Sequence, residues 1–201
     1  MQIVDNKRVL GLELPTDPRW VDLAKISLQE ILTDHAYCEM KAATTCISLI
    51  QLHSDRKKLV DEVSPVVTEE WGHFRMVIAE LDKRGLKLGR QRKDEYVKKL
   101  NSFKRNTKNS DENLAEKLLM CALIEARSCE RFRLLAQHLE DVGLKDFYHT
   151  FMVSEAGHYK MFLNLARTYY DAEKVNIRWK EWLAYEKEIL KTLEVRGDRM
   201  H

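Results

Sequence analysis

The sequence contains the same short pattern twice: Glu-x-Gly-His occupies residues 70–73 and again residues 155–158. A glutamate and a histidine three positions apart on a helix lie on one face, one turn from each other. Each pattern also follows another glutamate at a similar distance, because Glu39 lies 31 residues before Glu70 and Glu125 lies 30 residues before Glu155. The chain is therefore predicted to use one unit twice, a carboxylate-bearing helix followed by a Glu-x-x-His helix.

These repeated side chains match a known type of metal site. Four carboxylates and two imidazoles that point into a four-helix bundle are the ligand set of a di-iron or di-manganese centre. Oxygen ligands with one imidazole per metal suit iron or manganese better than zinc. The glutamates of the two motifs are expected to bridge the metals, and no catalytic residue is predicted beyond the ligands. The predicted ligands are Glu39, Glu70, His73, Glu125, Glu155 and His158.

Composition favours an all-α protein of one domain over residues 1–201. The 201 residues include only seven glycines and three prolines, and a chain of this length can bury a substantial core. The net charge of +2 excludes a strongly basic surface over the whole molecule. No apolar run is long enough to span a bilayer and no signal peptide is visible, so we expect a cytoplasmic protein without a membrane partner.

The four cysteines form no Cys-x-x-Cys pair, which argues against a rubredoxin-like iron site or a zinc knuckle. Cys38 and Cys46 lie eight residues apart beside Glu39, and Cys121 and Cys129 are spaced equally beside Glu125. We expect them to be small buried apolar side chains near the metal site.

Apolar spacing predicts the helices that carry these residues. Thr16-Asp17-Pro18 should begin a short helix that ends near Leu32, and Ser64-Pro65 should begin the second long helix. Ser110 is expected to cap the third long helix and Gly143 to end it. The predicted segments are an extended surface arm at 1–15, long helices at 33–54, 64–85, 110–140 and 144–170, a short helix at 94–103 and a C-terminal helix at 175–195, with its core at 177–193.

The connection at 82–109 is the most basic part of the chain. Its length indicates a ferritin-like four-helix bundle with a long crossover between helix pairs and additional flanking helices. Two interpretations stay open, a solvated linker and a surface that binds the phosphates of a nucleic acid. The candidate nucleic-acid contacts are Arg84, Lys87, Arg90, Arg92 and Lys93.

Two further residues, His35 and Glu130, lie close in sequence to the predicted ligands. His35 lies one turn before Glu39 and could hold that carboxylate, but a surface histidine is the favoured interpretation. Glu130 lies five residues after Glu125, so it points elsewhere on the helix and is expected to pair with one of the neighbouring arginines.

At these residues the sequence resembles the tRNA 2-methylthio-N6-isopentenyladenosine hydroxylase (MiaE-like) family of the ferritin-like di-iron superfamily. The stretches that carry the resemblance are 35–43, 69–74, 123–132 and 154–159, notably Glu-Ala-Arg-Ser-Cys-Glu-Arg-Phe at 125–132. The resemblance implies O₂-dependent hydroxylation of the isopentenyl group beside the tRNA anticodon. It also implies two iron ions, O₂ as co-substrate and an external electron donor of the ferredoxin or reductase type. The oligomeric state, monomer or dimer, stays open.

Two other functions are compatible with the pattern. A ferritin-like protein that oxidises or stores iron would use the same ligands, although such chains assemble into shells. A metal-free helical protein that binds RNA or acts as a scaffold would carry the Glu-x-x-His pairs by coincidence. Aerobic iron loading with measurement of particle mass distinguishes a storage protein from a hydroxylase, which should stay compact with two irons per chain. Metal analysis of the purified protein tests the metal-free alternative, which predicts no bound iron.

Overall fold

The computed structural model describes residues 9–200, which contain seven α-helices and no β-strand. Within this range, no helix is both long and apolar enough to cross a membrane. The helices are α1 (Arg19–Ile26), α2 (Leu28–Leu52), α3 (Lys57–Lys83), α4 (Glu95–Phe103), α5 (Ser110–His138), α6 (Val142–Tyr169) and α7 (Ala172–Thr192).

The described residues group into two compact units. The N-terminal helical unit consists of residues 19–93 and 196–200 and contains α1, α2 and α3. The C-terminal helical unit consists of residues 9–18 and 94–195 and contains the other four helices. The assignment of the whole chain to one domain stays a prediction.

In the N-terminal helical unit, α2 and α3 pack along each other and α1 packs on α2. Its core consists of aliphatic side chains that are fully buried, including Leu32, Leu59 and Val63. The segment 196–200 is fixed on this unit, because the indole of Trp20 donates a hydrogen bond to the Arg199 carbonyl. Position 197 requires glycine, since a Cβ there would lie 2.2 Å from the carbonyl carbon of Leu23.

In the C-terminal helical unit, α5 and α6 form the principal helix pair, and α7 packs on both. Aromatic side chains fill much of the core, with Phe132 lying 5.6 Å from Phe151 between ring centroids. The short helix α4 packs on α5 and α7 through its buried residues Tyr96 and Leu100. Asp94 caps α4 by accepting a hydrogen bond from the backbone amide of Val97.

A buried ion-pair network joins three parts of the C-terminal helical unit. The guanidinium of Arg127 has no solvent exposure and lies 2.8 Å from Glu186 of α7 and 2.6 Å from Glu130. It also donates a hydrogen bond to the carbonyl of Leu14, and Glu130 accepts one from the backbone amide of Thr16. The predicted pairing of Glu130 with an arginine is confirmed. The network fixes α7 and the segment around Thr16 to α5.

The predicted start of the second long helix at Ser64-Pro65 is wrong, because α3 begins at Lys57 and Pro65 lies inside it. Proline removes one helical hydrogen bond and crowds the carbonyl four residues earlier. Pro65 is exposed, so water can hydrate the carbonyl that it leaves without a partner. The apolar stripe also extends back to Leu59 and Val63, which are buried, and their packing favours the longer helix.

Other helix boundaries also differ from the prediction. The first short helix ends at Ile26 instead of near Leu32, and α2 begins at Leu28 instead of residue 33. Gly143 does not end the third long helix, because α5 ends at His138 and Gly143 lies in the first turn of α6. Asp141 caps α6 through the backbone amide of Leu144. The cap of α5 is Asn109 rather than Ser110, since the Asn109 side chain accepts hydrogen bonds from two amides of the first turn.

The predicted arm at 1–15 lies partly outside the described residues, which begin at residue 9. Residues 9–15 form a turn and bends. Leu12 in this stretch is buried, and Leu14 is held by Arg127. The described part of the arm is therefore anchored at Leu12 and Leu14 but is not extended, and Gly11 and Pro15 remain exposed.

All four cysteines are free thiols; three of them, Cys46, Cys121 and Cys129, are buried and Cys38 is half-buried. Burial raises the pKa of the Cys129 thiol to about 12, and it also raises the pKa of the Cys121 thiol. Only the thiolate is nucleophilic, so a higher pKa slows reaction at a given pH.

We therefore expect a thiol-specific colorimetric reagent at mildly alkaline pH to modify Cys38 quickly in the native protein. The three buried cysteines should react only after the protein is unfolded. Mass spectrometry of the modified peptides checks this order. Rapid modification of Cys129 in the native state would contradict it.

Candidate metal centre

The first group of predicted ligands lies in the N-terminal helical unit, on facing sides of α2 and α3. Glu39, Glu70 and His73 are 3%, 1% and 6% exposed. Each offers one ligand atom within 4.8 Å of those of the other two. Nδ1 of His73 lies 3.3 Å from Oε2 of Glu39 and 3.6 Å from Oε2 of Glu70. We call these three residues the first half-site.

The sequence explains why these side chains meet. Glu70 and His73 lie one turn apart on the stripe of α3 that also carries the buried Val66 and Val77. On α2, Glu39 shares its buried face with small residues, Ala36, Ala43 and Cys46. Small neighbours leave space around the carboxylate that larger apolar side chains would fill.

The second half-site, which consists of Glu125, Glu155 and His158, lies in the C-terminal helical unit on α5 and α6. These residues are 7%, 2% and 5% exposed, and each offers a ligand atom within 4.8 Å of those of the other two. Nδ1 of His158 lies 3.5 Å from Oε2 of Glu155. The structure thus contains the same set of two glutamates and one histidine in each unit.

The surroundings of each half-site suit a cation. Burying carboxylates is costly unless they are paired, hydrogen-bonded or bound to a metal. In the second half-site, Oε2 of Glu155 is buried and accepts no hydrogen bond. Two carboxylates and an imidazole around one point are a donor set that iron or manganese accepts. The residues present therefore fit the predicted type of metal.

His35 is not a surface histidine, so the favoured interpretation of this residue is wrong. Its side chain has no solvent exposure, and its Nε2 lies 2.7 Å from Oε1 of Glu39. The signal was present in the sequence, because a histidine four residues before a ligand lies on the same helix face. Burial of that face was decided by packing that the local pattern does not contain.

The basic segment divides into two kinds of side chain. Lys87, Arg90 and Lys93 are exposed. Arg84 instead lies 2.7 Å from the carboxylate of Glu80, and Arg92 is held within its own unit. The Arg92 guanidinium pairs with Glu30 and with Asp198, whose Oδ2 lies 3.1 Å away. Arg92 therefore fixes this segment to its unit, whereas the Arg84 pair joins residues four positions apart at the end of α3.

Comparison with known proteins identifies the family. The family model described as tRNA-(MS[2]IO[6]A)-hydroxylase (MiaE) matches residues 2–201. This chain belongs to that family. Two relatives are named tRNA 2-(methylsulfanyl)-N(6)-isopentenyladenosine(37) hydroxylase. One, from Pseudomonas putida, is 36% identical over 160 residues, 80% of this chain and 77% of the relative. The other, from Salmonella typhimurium, is 28% identical over 216 residues, 83% of this chain and 78% of the relative.

A solved structure supports the fold class of this MiaE family member. "Protein 43 with aldehyde deformylating oxygenase activity from Synechococcus" matches with a TM-score of 0.88 and 32% sequence identity, over 94% of each chain. The predicted all-α, ferritin-like fold class is confirmed, and so is the predicted family. That the six predicted ligands serve one centre stays a prediction.

Proposed function

We propose that this chain is the tRNA hydroxylase of its family, acting on the isopentenyl group of 2-methylthio-N6-isopentenyladenosine next to the anticodon. The match of the MiaE family model to residues 2–201 carries this conclusion. The names of the two relatives agree with it, and the buried carboxylate and histidine side chains provide the groups that such an oxidoreductase needs. Because the proposed substrate is tRNA, the proposed location is the cytoplasm.

We propose further that the two half-sites act together as one di-iron centre. Three observations support this: both half-sites have the same composition, both are buried, and the fold is ferritin-like, a class that builds such sites from four helices. Bound iron would supply the reduction of O₂ by two electrons and two protons, so that one oxygen atom enters a C–H bond and the other leaves as water. The electrons would come from an external donor of the ferredoxin or reductase type.

The protein side chains have simpler tasks in this proposal. The glutamates and histidines of the half-sites hold the metal in place. Their low exposure excludes bulk water, which protects a reactive centre from side reactions. The apolar residues beside them, such as Phe151 and Phe162 on α6, are also buried.

The exposed cations of the basic segment are the proposed contacts to tRNA phosphates. Lys87, Arg90 and Lys93 are exposed and clustered within seven residues. Phosphate contacts of this kind position an RNA without reading its sequence. Arg92 contributes indirectly, since its carboxylate partners Glu30 and Asp198 hold the segment in place.

Reversing the charge of Lys87, Arg90 and Lys93 to glutamate should weaken tRNA binding in a salt-dependent way. Each lost phosphate contact lowers the slope of log affinity against log salt concentration by about 0.7–0.9, so the slope should fall by about two or more. Binding titrations at several salt concentrations measure it. The matched control reverses the exposed Lys160, Lys174 and Lys180. Equal losses in both triple variants would indicate a general charge effect and contradict these contacts.

Nucleoside analysis of tRNA tests the proposed function. Iron-loaded, reduced protein should convert 2-methylthio-N6-isopentenyladenosine in tRNA to its hydroxylated form in the presence of O₂. The reaction should stop when O₂ or the reductant is withheld. Unchanged tRNA, together with uptake of many more than two irons per chain, would instead support the iron-storage alternative.

A further inference from the structure

The hydrogen bond between His35 and Glu39 has no role in the proposed function as described so far. Both side chains are buried, and Nε2 of His35 lies 2.7 Å from Oε1 of Glu39. A glutamate that binds a metal is ionised and has only acceptor sites, so in that state Nε2 of His35 donates the proton of this hydrogen bond. A charge-assisted hydrogen bond of this kind is among the stronger ones in a protein interior.

This hydrogen bond separates the roles of the two oxygens of Glu39. Oε1 accepts from His35, whereas Oε2 points toward the rest of the half-site and lies 3.3 Å from Nδ1 of His73. A carboxylate held by one oxygen presents the other in a fixed direction. His35 therefore fixes both the rotation of the Glu39 carboxylate and the oxygen that a metal would meet.

The second half-site has a different residue at the equivalent position. The residue four positions before Glu125 is Cys121, which is buried on α5. A thiol is a weak hydrogen-bond donor, whereas an imidazole N–H is a strong one. The two half-sites are therefore alike in their predicted ligands but differ in the residue one turn before the first glutamate.

We propose that His35 is a positioning residue that restricts Glu39 to binding through Oε2 and makes the two metal positions inequivalent. This inference rests on the proposed function in taking Glu39 as a ligand of one of two bound metals. Outer residues that orient metal ligands typically change metal affinity by about 10–100-fold when they are replaced. Loss of His35 should therefore weaken one of the two metal positions and spare the other.

Two substitutions separate positioning from packing. His35→Leu fills a similar space without a donor, and His35→Gln keeps an N–H that can reach Glu39. The control His149→Leu makes the same chemical change at an exposed histidine of α6. Each purified protein is titrated with Fe²⁺ under anaerobic conditions, the occupied positions are distinguished by Mössbauer spectroscopy, and thermal unfolding of the metal-free protein reports the fold.

Wild-type protein and His149→Leu should bind two irons with distinct spectra. His35→Leu should weaken one position by about 10–100-fold and change only its spectrum, and His35→Gln should recover most of the affinity. Wild-type affinity in His35→Leu would overturn the inference while leaving the proposed function intact. Equal losses in the Leu and Gln variants, with lowered thermal stability, would assign His35 to packing and also overturn it. If wild-type protein binds no iron pair, the inference and the proposed function fail together.

Discussion

Replacing His158 with alanine should abolish tRNA hydroxylation while the helical fold remains. His158 is one of three buried groups in the second half-site, and its imidazole is the only nitrogen ligand proposed there. Residues that merely orient ligands already change activity by about 10–100-fold, so loss of a ligand should cost more than about 100-fold. Nucleoside analysis measures activity, and circular dichroism measures helical content.

His149→Ala on the same helix is the matched control, since His149 is exposed. It should keep wild-type activity and iron content. Iron analysis of the His158→Ala protein should show a reduced iron content. Full activity in this variant would remove His158 from the site and would contradict the second half-site as described.

Replacing Arg127 with methionine should strongly destabilise the C-terminal helical unit. Arg127 has no solvent exposure and pairs with Glu130 and Glu186. Burial lowers the pKa of the Arg127 guanidinium, but Glu186 and Glu130 outweigh it and raise this pKa above its ordinary value, so the group stays charged. Breaking a buried ion pair costs about 3–5 kcal/mol, because the remaining charges lose their partner. For a chain of this size the melting temperature should fall by roughly 6–20 °C.

The matched control is Arg105→Met. Arg105 pairs with Glu181 at 2.7 Å, but both side chains are nearly half exposed. An exposed ion pair contributes about 0–1 kcal/mol, so this variant should melt within a few degrees of wild type. Adding Glu130→Gln and Glu186→Gln to Arg127→Met should recover part of the loss, since it removes the unpaired charges. Equal melting temperatures for the two single variants would contradict the proposed importance of the buried network.

The predicted ligands came from spacing alone, and the structure assembles them into two half-sites of three. Spacing sufficed because the helical period dictates that Glu70 and His73 share a face, as do Glu155 and His158. It did not determine where helices begin. Pro65 has the local appearance of a helix start, yet burial of Leu59 and Val63 extends α3 past it.

Long-range pairing explains the other differences. From the sequence, Arg92 was predicted to be one of several cations that contact nucleic acid. In the fold it pairs with Glu30 and Asp198, which lie 62 and 106 positions away along the chain. His35 was assigned to the surface although its spacing placed it on the same helix face as Glu39, because spacing alone does not show how much of that face is covered. Both outcomes depend on tertiary contacts, which local patterns do not encode.

Magnetic coupling between two bound irons is the most direct test of whether the half-sites form one centre. Mössbauer spectra of the iron-loaded, air-oxidised protein should show two ferric ions per chain whose spins cancel, because shared ligands couple neighbouring irons. Glu70→Ala and Glu155→Ala, one change in each half-site, should each abolish this coupling. Two magnetically isolated ferric ions in the wild-type protein would show that the two half-sites do not share a centre. A wild-type protein that binds one iron, with a spectrum that Glu70→Ala or Glu155→Ala does not change, would show the same.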